Sequence, residues 1–171
     1  MAKGIKAASP KRLNSALLVA VLCLLLSCSG YSLHNYQSVG GGWHKGCSLA
    51  FVQDSATLCA ADSLDLYVGL RYDASYKYKN LCMRVESFAA GDSLMFSDTL
   101  CCDIFDETGR RNGSTAGTLY QAEFYAFPIE MPHCGSHTIR LQHVMRDTLL
   151  QGVYDVGVKL VPRGRHQCAE K

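Results

Sequence analysis

The cysteines are the residues of this sequence most able to do chemistry, and Cys28 ends a short processing signal. Leu25, Leu26 and Ser27 precede it, which places an aliphatic residue, a tolerant position and a small residue ahead of the thiol. This order resembles the bacterial lipobox, in which the chain is cut before the cysteine, the thiol is alkylated by diacylglycerol and the new amino group is acylated. Cys23 does not follow a small residue and does not fit. We therefore predict that Cys28 carries lipid, with acyl chains such as palmitate.

The segment before the lipobox is typical of an export signal. Four cations lie in the first dozen residues, and an unbroken apolar run follows over residues 16–26. A bilayer-spanning helix needs about 20 apolar residues, so this run is too short for a permanent span. A basic start followed by an apolar run of this length indicates a secretory signal. We predict that residues 1–27 are a lipoprotein signal peptide that is removed on maturation.

The charge balance changes sign when the signal is removed. The whole chain has 17 Lys plus Arg and 15 Asp plus Glu, a formal net charge of +2. Loss of the four signal cations leaves 13 basic residues (17 − 4) against 15 acidic ones, so the mature chain has a net charge of −2. Nucleic-acid binding depends on many Lys and Arg contacts to phosphates and is not expected here. A triacylated cysteine predicts a stable membrane anchor instead, because each buried methylene contributes about 0.8 kcal/mol.

Seven further cysteines remain in the mature chain, and their state is open from sequence. Because seven is odd, at least one thiol stays unpaired even in an oxidising compartment. Cys82 and Cys101 lie on neighbouring predicted strands and are able to form a disulfide. The alternative is that these cysteines are small hydrophobic residues of the core.

No pattern predicts catalysis or a metal site. His133, Cys134 and His137 place three potential metal ligands within five residues, but a structural zinc site uses four ligands in two spaced pairs. Residues 113–117 resemble a nucleophile elbow only superficially, because their central residue is Thr115. We therefore predict a protein that is not an enzyme and has no catalytic residue, no metal ligand and no cofactor.

Aromatic residues in predicted loops are the candidates for binding. Tyr72, Tyr76 and Tyr78 lie between two predicted strands, and Trp43 and His44 follow a glycine-rich stretch. Tyrosine and tryptophan in loops are typical anchors for protein or sugar contacts. The alternative, left open by the sequence, is that these rings cover the open ends of the fold.

The elements that must position these residues are short strands. No stretch favours a helix, and turn residues separate segments that alternate apolar and polar side chains, namely 64–71, 81–88, 137–145 and 153–161. Antiparallel pairing is expected, because no helices are available to connect parallel strands. We predict an all-β protein with an antiparallel β-sandwich, either simple or jelly-roll-like.

The predicted organisation has four parts. The signal peptide comes first, the lipidated cysteine with a short polar tether second, the β-sandwich domain third and a polar C-terminal tail last, over residues 1–27, 28–42, 43–162 and 163–171.

Taken in order, segments along nearly the whole mature chain resemble the GldH family of gliding-motility lipoproteins from the Bacteroidota. The most specific are Gly42-Trp43-His44-Lys45, residues 142–146 and residues 152–158. The others are Cys28, Tyr36 and residues 66–72, 78–81, 98–100 and 127–128. Residues 108–118 lack the tryptophan that the family usually has there, which affects any contact made by that loop and not the fold.

The resemblance implies a non-enzymatic outer-membrane lipoprotein with envelope protein partners, associated with the gliding machinery where the host glides. Residues 29–31 lack the acidic run of a surface-export tag, which favours an anchor that faces the periplasm. The alternative function is a lipid-anchored β-sandwich module that binds carbohydrate or protein in a species that does not glide.

Overall fold

The computed structural model describes residues 33–53, 63–89, 91–130 and 136–163. The signal peptide, Cys28, His133, Cys134 and residues 164–171 lie outside these ranges, so the expectations about them stay predictions. The described residues form strands and no helix, and thus include no helix long and apolar enough to cross a membrane.

Eleven strands follow one another along the described residues. They are β1 (Leu33–Ser38), β2 (Gly42–His44), β3 (Leu49–Gln53), β4 (Ser63–Tyr72), β5 (Asn80–Ala89), β6 (Ser93–Asp103), β7 (Ser114–Ala116), β8 (Leu119–Glu130), β9 (His137–His143), β10 (Leu149–Gln151) and β11 (Val153–Pro162).

The strands form two main sheets in which every pair is antiparallel. The front sheet has the order β1-β11-β4-β8-β7, the back sheet has the order β3-β9-β5-β6, and β10 and β2 form a separate ribbon. Without the three-residue strands β2, β7 and β10, the front sheet holds the first, eighth, third and sixth strands along the chain. The back sheet holds the second, seventh, fourth and fifth. This is the strand order of a jelly roll, so the prediction of an all-β antiparallel sandwich is confirmed in its jelly-roll form.

A single apolar core is formed by the inward-facing residues of both sheets. Alternation along the strands produces this core: in β9, for example, every second side chain is buried. Leu66 and Val68 from the front sheet and Val85, Ile139 and Leu141 from the back sheet are fully buried in one cluster. The side chains at the intervening positions of the front sheet point away from the core, and these outward residues form the candidate site.

The boundary of the predicted tether needs a correction. The predicted tether covers residues 28–42, but residues 33–38 form β1, which pairs with β11 over six residues from Leu33↔Leu160 to Ser38↔Asp155. The sequence of β1 is mostly polar, because an edge strand is held through its backbone and buries few side chains. The folded domain therefore begins before residue 43.

The described cysteines have three different states. Cys82 and Cys101 are register partners on β5 and β6 and are joined by a disulfide, with their Cα atoms 4.0 Å apart. Cys102 points to the other side of β6 and is a buried free thiol, whereas the free thiol of Cys47 is exposed. The alternative that Cys82 and Cys101 are unpaired core residues is therefore wrong.

Candidate functional site

The outer face of the front sheet carries the best-built cluster of functional side chains, centred on Tyr36 of β1. Tyr36 is the register partner of Gly157 on β11, and Gly157 is the partner of Gly69 on β4. A Cβ atom at Gly69 would lie 2.2 Å from the Tyr36 hydroxyl, and one at Gly157 would lie 2.6 Å from the Tyr36 ring. The two glycines therefore leave the space in which the tyrosine ring lies across two neighbouring strands.

Arg71 covers the exposed side of this ring. Its guanidinium carbon is 4.6 Å from the Tyr36 ring centroid, within the range of a cation–π contact. Arg71 Nε also donates a hydrogen bond to Gln121 at 3.1 Å, and Nη1 lies 3.6 Å from the Asp155 carboxylate. The contacts to β8 and β11 hold the guanidinium over the ring.

The hydroxyl of Tyr36 is buried and has no hydrogen-bond partner among the described residues. Burial raises the pKa of Tyr36, and the negative charge of Glu123 raises it further, while Arg71 lowers it. The phenol is therefore neutral at physiological pH and contributes as an apolar ring rather than as an acid or a base.

Two more ion pairs and two more tyrosines extend the same face. Lys159 Nζ lies 2.9 Å from the Glu123 carboxylate and Arg163 Nη2 lies 2.8 Å from that of Asp65. The rings of Tyr67 and Tyr125 meet edge to face at 5.5 Å between centroids, and Tyr125 is 48% exposed. With Arg71 and Asp155, three cations face three carboxylates, so the face is neutral overall. Arginine and tyrosine are the residues enriched at the centres of protein interfaces.

The aromatic residues singled out in the sequence lie elsewhere, at one end of the sandwich. Tyr72 and Tyr76 are each 1% exposed, and both hydroxyls donate to backbone carbonyls, that of Tyr76 to Asn80 at 2.8 Å. Tyr78 is half-buried and donates its hydroxyl hydrogen to the Asp147 carboxylate. The guanidinium of Arg111 lies over the neighbouring Phe105 and Tyr120 rings at 4.6 and 5.1 Å.

Trp43 is also buried, and only His44 of that pair is exposed. The indole Nε1 donates to the carbonyl of Cys47 at 3.0 Å, and the Trp43 ring lies 5.2 Å from that of buried His143. Burial lowers the pKa of His143 and keeps it neutral. Trp43, Tyr72 and Tyr76 therefore pack on the core of the sandwich. This agrees with the alternative that these rings cover the open ends of the fold. Because these three rings are buried, they are not available as exposed anchors for a protein or a sugar.

Metal and nucleophile candidates are not assembled in the residues that the structure describes. Within those ranges no three His, Cys, Asp or Glu side chains are grouped so as to hold a metal ion. His137 is buried at the start of β9, while His133 and Cys134 fall outside the described ranges. Burial, together with the nearby Asp103 charge, raises the pKa of the Cys102 thiol to about 12, so this cysteine is not a thiolate nucleophile at neutral pH.

The sequence did not predict the Tyr36 cluster, which consists of Tyr36, Gly69, Arg71, Asp155 and Gly157, although one signal for it was present. Gly69 and Gly157 each interrupt an alternating strand at an outward position, and a glycine inside a strand often marks a close approach by another group. Nothing in the sequence says which group approaches, because Tyr36 lies more than thirty residues before Gly69.

Comparison with known proteins gives one family and one curated relative. The family model described as "GldH lipoprotein" matches residues 31–160. The gliding motility lipoprotein GldH of Flavobacterium johnsoniae is 24% identical over 155 residues, which cover 86% of this chain and 95% of that protein. The matched region contains every residue of the Tyr36 cluster.

Solved structures resemble this chain only distantly. The structure of the infectious bursal disease virus Gx strain gives a TM-score of 0.36 at 11% identity, covering 79% of this chain and 33% of that chain. The infectious bursal disease virus VP2 subviral particle gives 0.33 at 10% identity, covering 77% and 33%. The chain thus spans about a third of each viral protein, and TM-scores this low do not establish a common fold.

Proposed function

Because the chain belongs to the GldH lipoprotein family, we propose that it is a non-enzymatic outer-membrane lipoprotein that binds other proteins of the cell envelope, at the gliding machinery where the host glides. The observation that carries this proposal is the family match over residues 31–160, which directly follows the lipobox that ends at Cys28. The relative's name supplies the link to gliding motility.

The anchor in this proposal is a lipidated Cys28, and the folded domain begins close to it. Leu33, the first residue of β1, is five residues after Cys28 (33 − 28). Five residues of fully extended chain span at most about 18 Å. The sandwich is then held near the membrane surface, where it meets partners that are themselves in or on the membrane.

The outer face of the front sheet supports a binding role without catalysis. It combines exposed Tyr125 with arginine and lysine side chains that are already held by carboxylates. Pre-organised side chains lose little conformational freedom when a partner binds. Within this face, the Tyr36 ring and the Asp155 carboxylate hold Arg71 in place.

The anchor is tested by fractionating cells that express Cys28→Ala, with Cys23→Ala as the matched control within the signal. We expect Cys28→Ala to leave the outer-membrane fraction or to remain as an uncut precursor, and Cys23→Ala to fractionate as the wild type. Full retention of mature Cys28→Ala protein in the outer membrane contradicts the anchor. Protease treatment of intact and of opened cells tests the orientation: cleavage only in opened cells is expected.

The role is tested in a deletion strain of a gliding host. Expression of the wild-type chain is expected to restore colony spreading, and expression of Cys28→Ala is expected not to restore it. A charge reversal on the outer face, Lys159→Glu, is expected to reduce spreading while leaving outer-membrane fractionation unchanged. Normal spreading of the deletion strain contradicts the proposed role.

A further inference from the structure

One side of the sandwich ends in two strands that are open to a partner. The back sheet ends at β6, and the front sheet ends at β7, which pairs only with Leu119–Gln121. Along the rest of β8 no strand of the described part pairs on that side. Phe96 of β6 and Phe127 of β8 meet with ring centroids 4.5 Å apart, which shows that both edges lie on the same side of the molecule.

A cavity of about 350 Å³ opens between these two edges, and we call it the side cleft. Its lining consists of Ser87, Met95, Phe96, Pro128, Ile129, Glu130 and His137. This volume equals that of about twelve water molecules and is at the lower end of the range for ligand sites. It suits one large side chain better than a whole metabolite.

The floor of the side cleft is polar although it lies at the edge of the core. Ser87 and His137 line it and are only 2% and 3% exposed. Gln53, the register partner of His137, is 4% exposed and does not line the cleft, so Ser87 and His137 are the buried polar residues of the cleft. The walls are apolar, formed by Phe96 and Ile129. A side chain that is apolar along its length and carries a hydroxyl at its tip matches this arrangement.

The backbone of β6 next to the cleft points outward at every second residue. The Cα–Cα distance of 4.0 Å between Cys82 and Cys101 identifies a pair that is not hydrogen-bonded across β5 and β6. Accordingly, the Cys82 carbonyl accepts a hydrogen bond from Val144 on its other side. Cys101 therefore directs its backbone N–H and C=O away from β5. Because this orientation repeats every two residues, Ser97 directs its N–H and C=O away from β5 as well. The outward groups of Ser97 are available to an added strand, whereas the outward N–H of Thr99 donates to the Asp98 carboxylate at 2.6 Å.

The charges and exposed apolar groups at this edge define the partner. Asp98 and Asp103 on β6 and Glu130 on β8 are exposed, and none forms an ion pair within the described residues. Neither β6 nor β8 contains a lysine or an arginine. Leu94 and Met95 are 54% and 47% exposed. An acidic edge with apolar patches complements an extended basic segment.

We propose that the β6 edge and the side cleft together bind an extended, basic segment of a partner protein by β-strand addition, with one tyrosine of that segment in the cleft. In this mode the main-chain hydrogen bonds supply affinity and the pocket supplies specificity. The site depends neither on the lipid anchor nor on gliding, so its failure and that of the proposed function are distinguishable.

The test uses full-length lipidated protein in detergent micelles and fluorescent peptides of about ten residues, a typical long strand. The probe alternates lysine with valine around a central tyrosine. One control peptide has glutamate for lysine and another has alanine for tyrosine. We expect the basic tyrosine peptide to bind at least about tenfold more tightly than either control, as fits the loss of one buried anchor or of charge complementarity.

Variants of the protein locate the binding. Ser97→Pro removes the outward N–H and is expected to abolish binding, whereas Ser97→Ala keeps the N–H and is expected to bind as the wild type. Glu130→Lys is expected to weaken binding about tenfold, and the same charge change at Glu107, an exposed loop residue away from the cleft, is expected to have no effect. Thermal unfolding of Ser97→Pro and Ser97→Ala is measured first, so that binding is compared only between folded proteins.

Three results overturn the proposal. They are absence of binding by the basic tyrosine peptide, equal binding of the basic and acidic peptides, and equal binding by folded Ser97→Pro and Ser97→Ala. Binding that survives Ser97→Pro but is lost at high salt identifies a general attraction to the acidic surface and also excludes strand addition.

Discussion

Tyr36 lies where it does because two side chains are missing beneath it. A Cβ at Gly69 would meet only the far end of the tyrosine side chain, at 2.2 Å from the hydroxyl. A Cβ at Gly157 would meet the Tyr36 ring and also the backbone oxygen of Asn35, at 2.8 Å. A ring can turn away at the cost of its packing, but a backbone oxygen in a paired strand cannot move without disturbing the ladder. The two glycines are therefore not equivalent.

We expect Gly69→Ala and Gly157→Ala to lower the free energy of unfolding by about 1–3 kcal/mol each, with the larger loss at Gly157, because added atoms strain a packed site. Urea unfolding of each variant, alone and combined with Tyr36→Ala, measures this. Removing the Tyr36 ring should cancel most of the loss at Gly69 and only part of it at Gly157. Equal, additive losses in the Tyr36→Ala background would contradict the close approach.

The buried hydroxyl of Tyr36 predicts a stability change at alkaline pH. Burial raises the pKa of Tyr36 above its usual value of 10.0, as it also does for Tyr72 and Tyr76. A group whose pKa is higher in the folded state stabilises the fold below the unfolded-state pKa and loses this contribution as the pH rises through the folded-state pKa. The free energy of unfolding should thus fall above pH 10.0.

Tyr36→Phe should reduce this alkaline loss, since one of the three phenols is gone. At neutral pH the variant should be within about 0.5 kcal/mol of the wild type, because the hydroxyl has no hydrogen-bond partner to lose. Unfolding free energies measured from neutral to alkaline pH for both proteins check this. A variant with an unchanged alkaline slope would show that Tyr36 does not contribute.

At the scale of strands, the four alternating segments of the sequence predicted β4, β5, β9 and β11 to within two residues at each end. Alternation predicted strands at 64–71, 81–88 and 153–161, and the structure has β4 at Ser63–Tyr72, β5 at Asn80–Ala89 and β11 at Val153–Pro162. Each of these strands buries one face, so the core imposes the pattern that the sequence displays. β1 was missed because backbone pairing to β11 holds it, which leaves no such pattern.

The candidate site was less predictable for a related reason. The outer face brings together Tyr36, Arg71, Glu123 and Asp155 from four strands that are far apart in sequence and adjacent only in the jelly-roll order. The aromatic residues that looked like loop anchors, Tyr72 and Tyr76, are core residues at the end of the sandwich. Sequence shows that a ring occurs near a strand end, but only the fold shows whether it faces water.

The disulfide between β5 and β6 is expected to contribute measurably to stability. Cys82 and Cys101 are 19 residues apart, and closing a loop of this length in the unfolded chain corresponds to about 3 kcal/mol in the chain-entropy model. The double variant Cys82→Ser/Cys101→Ser should lose about this amount in urea unfolding. Dithiothreitol should lower the stability of the wild type and leave the double variant unchanged.

Cys47→Ser is the matched control, because Cys47 is an exposed free thiol. It should unfold as the wild type does. A disulfide on these two strands also fits an exported protein, since such bonds persist in oxidising compartments. Equal stability of the wild type with and without dithiothreitol would contradict the bond.

At the scale of the whole molecule, the position of β1 decides where the folding unit begins. A fragment of residues 29–171 retains β1, whereas a fragment of residues 43–171 lacks β1 and the Tyr36 ring. We expect the shorter fragment to lose at least about 3 kcal/mol of unfolding free energy, the typical cost of deleting a packed aromatic side chain. It should also self-associate, because β11 becomes an exposed edge. Circular dichroism with urea and size-exclusion chromatography measure both effects.

Equal stability of the two fragments would contradict the pairing of β1 with β11 and restore the tether to residue 42. A fragment that begins at residue 29 but carries Tyr36→Ala separates the contribution of the ring from that of the strand. It should be less stable than the longer fragment and should remain monomeric, because β1 still covers β11.

The pairing of β1 with β11 also has a mechanical consequence. In the proposed arrangement, the lipid anchor pulls on the chain at Leu33, the first residue of β1, while a partner holds the sandwich. Hydrogen bonds in an antiparallel pair run perpendicular to the strands, so a force along β1 shears all six register pairs, Leu33↔Leu160 to Ser38↔Asp155, at the same time. The bonds would then share the load instead of breaking one after another. In this proposed arrangement β1 is the strand that takes the load, and its shear geometry spreads the load over all six register pairs.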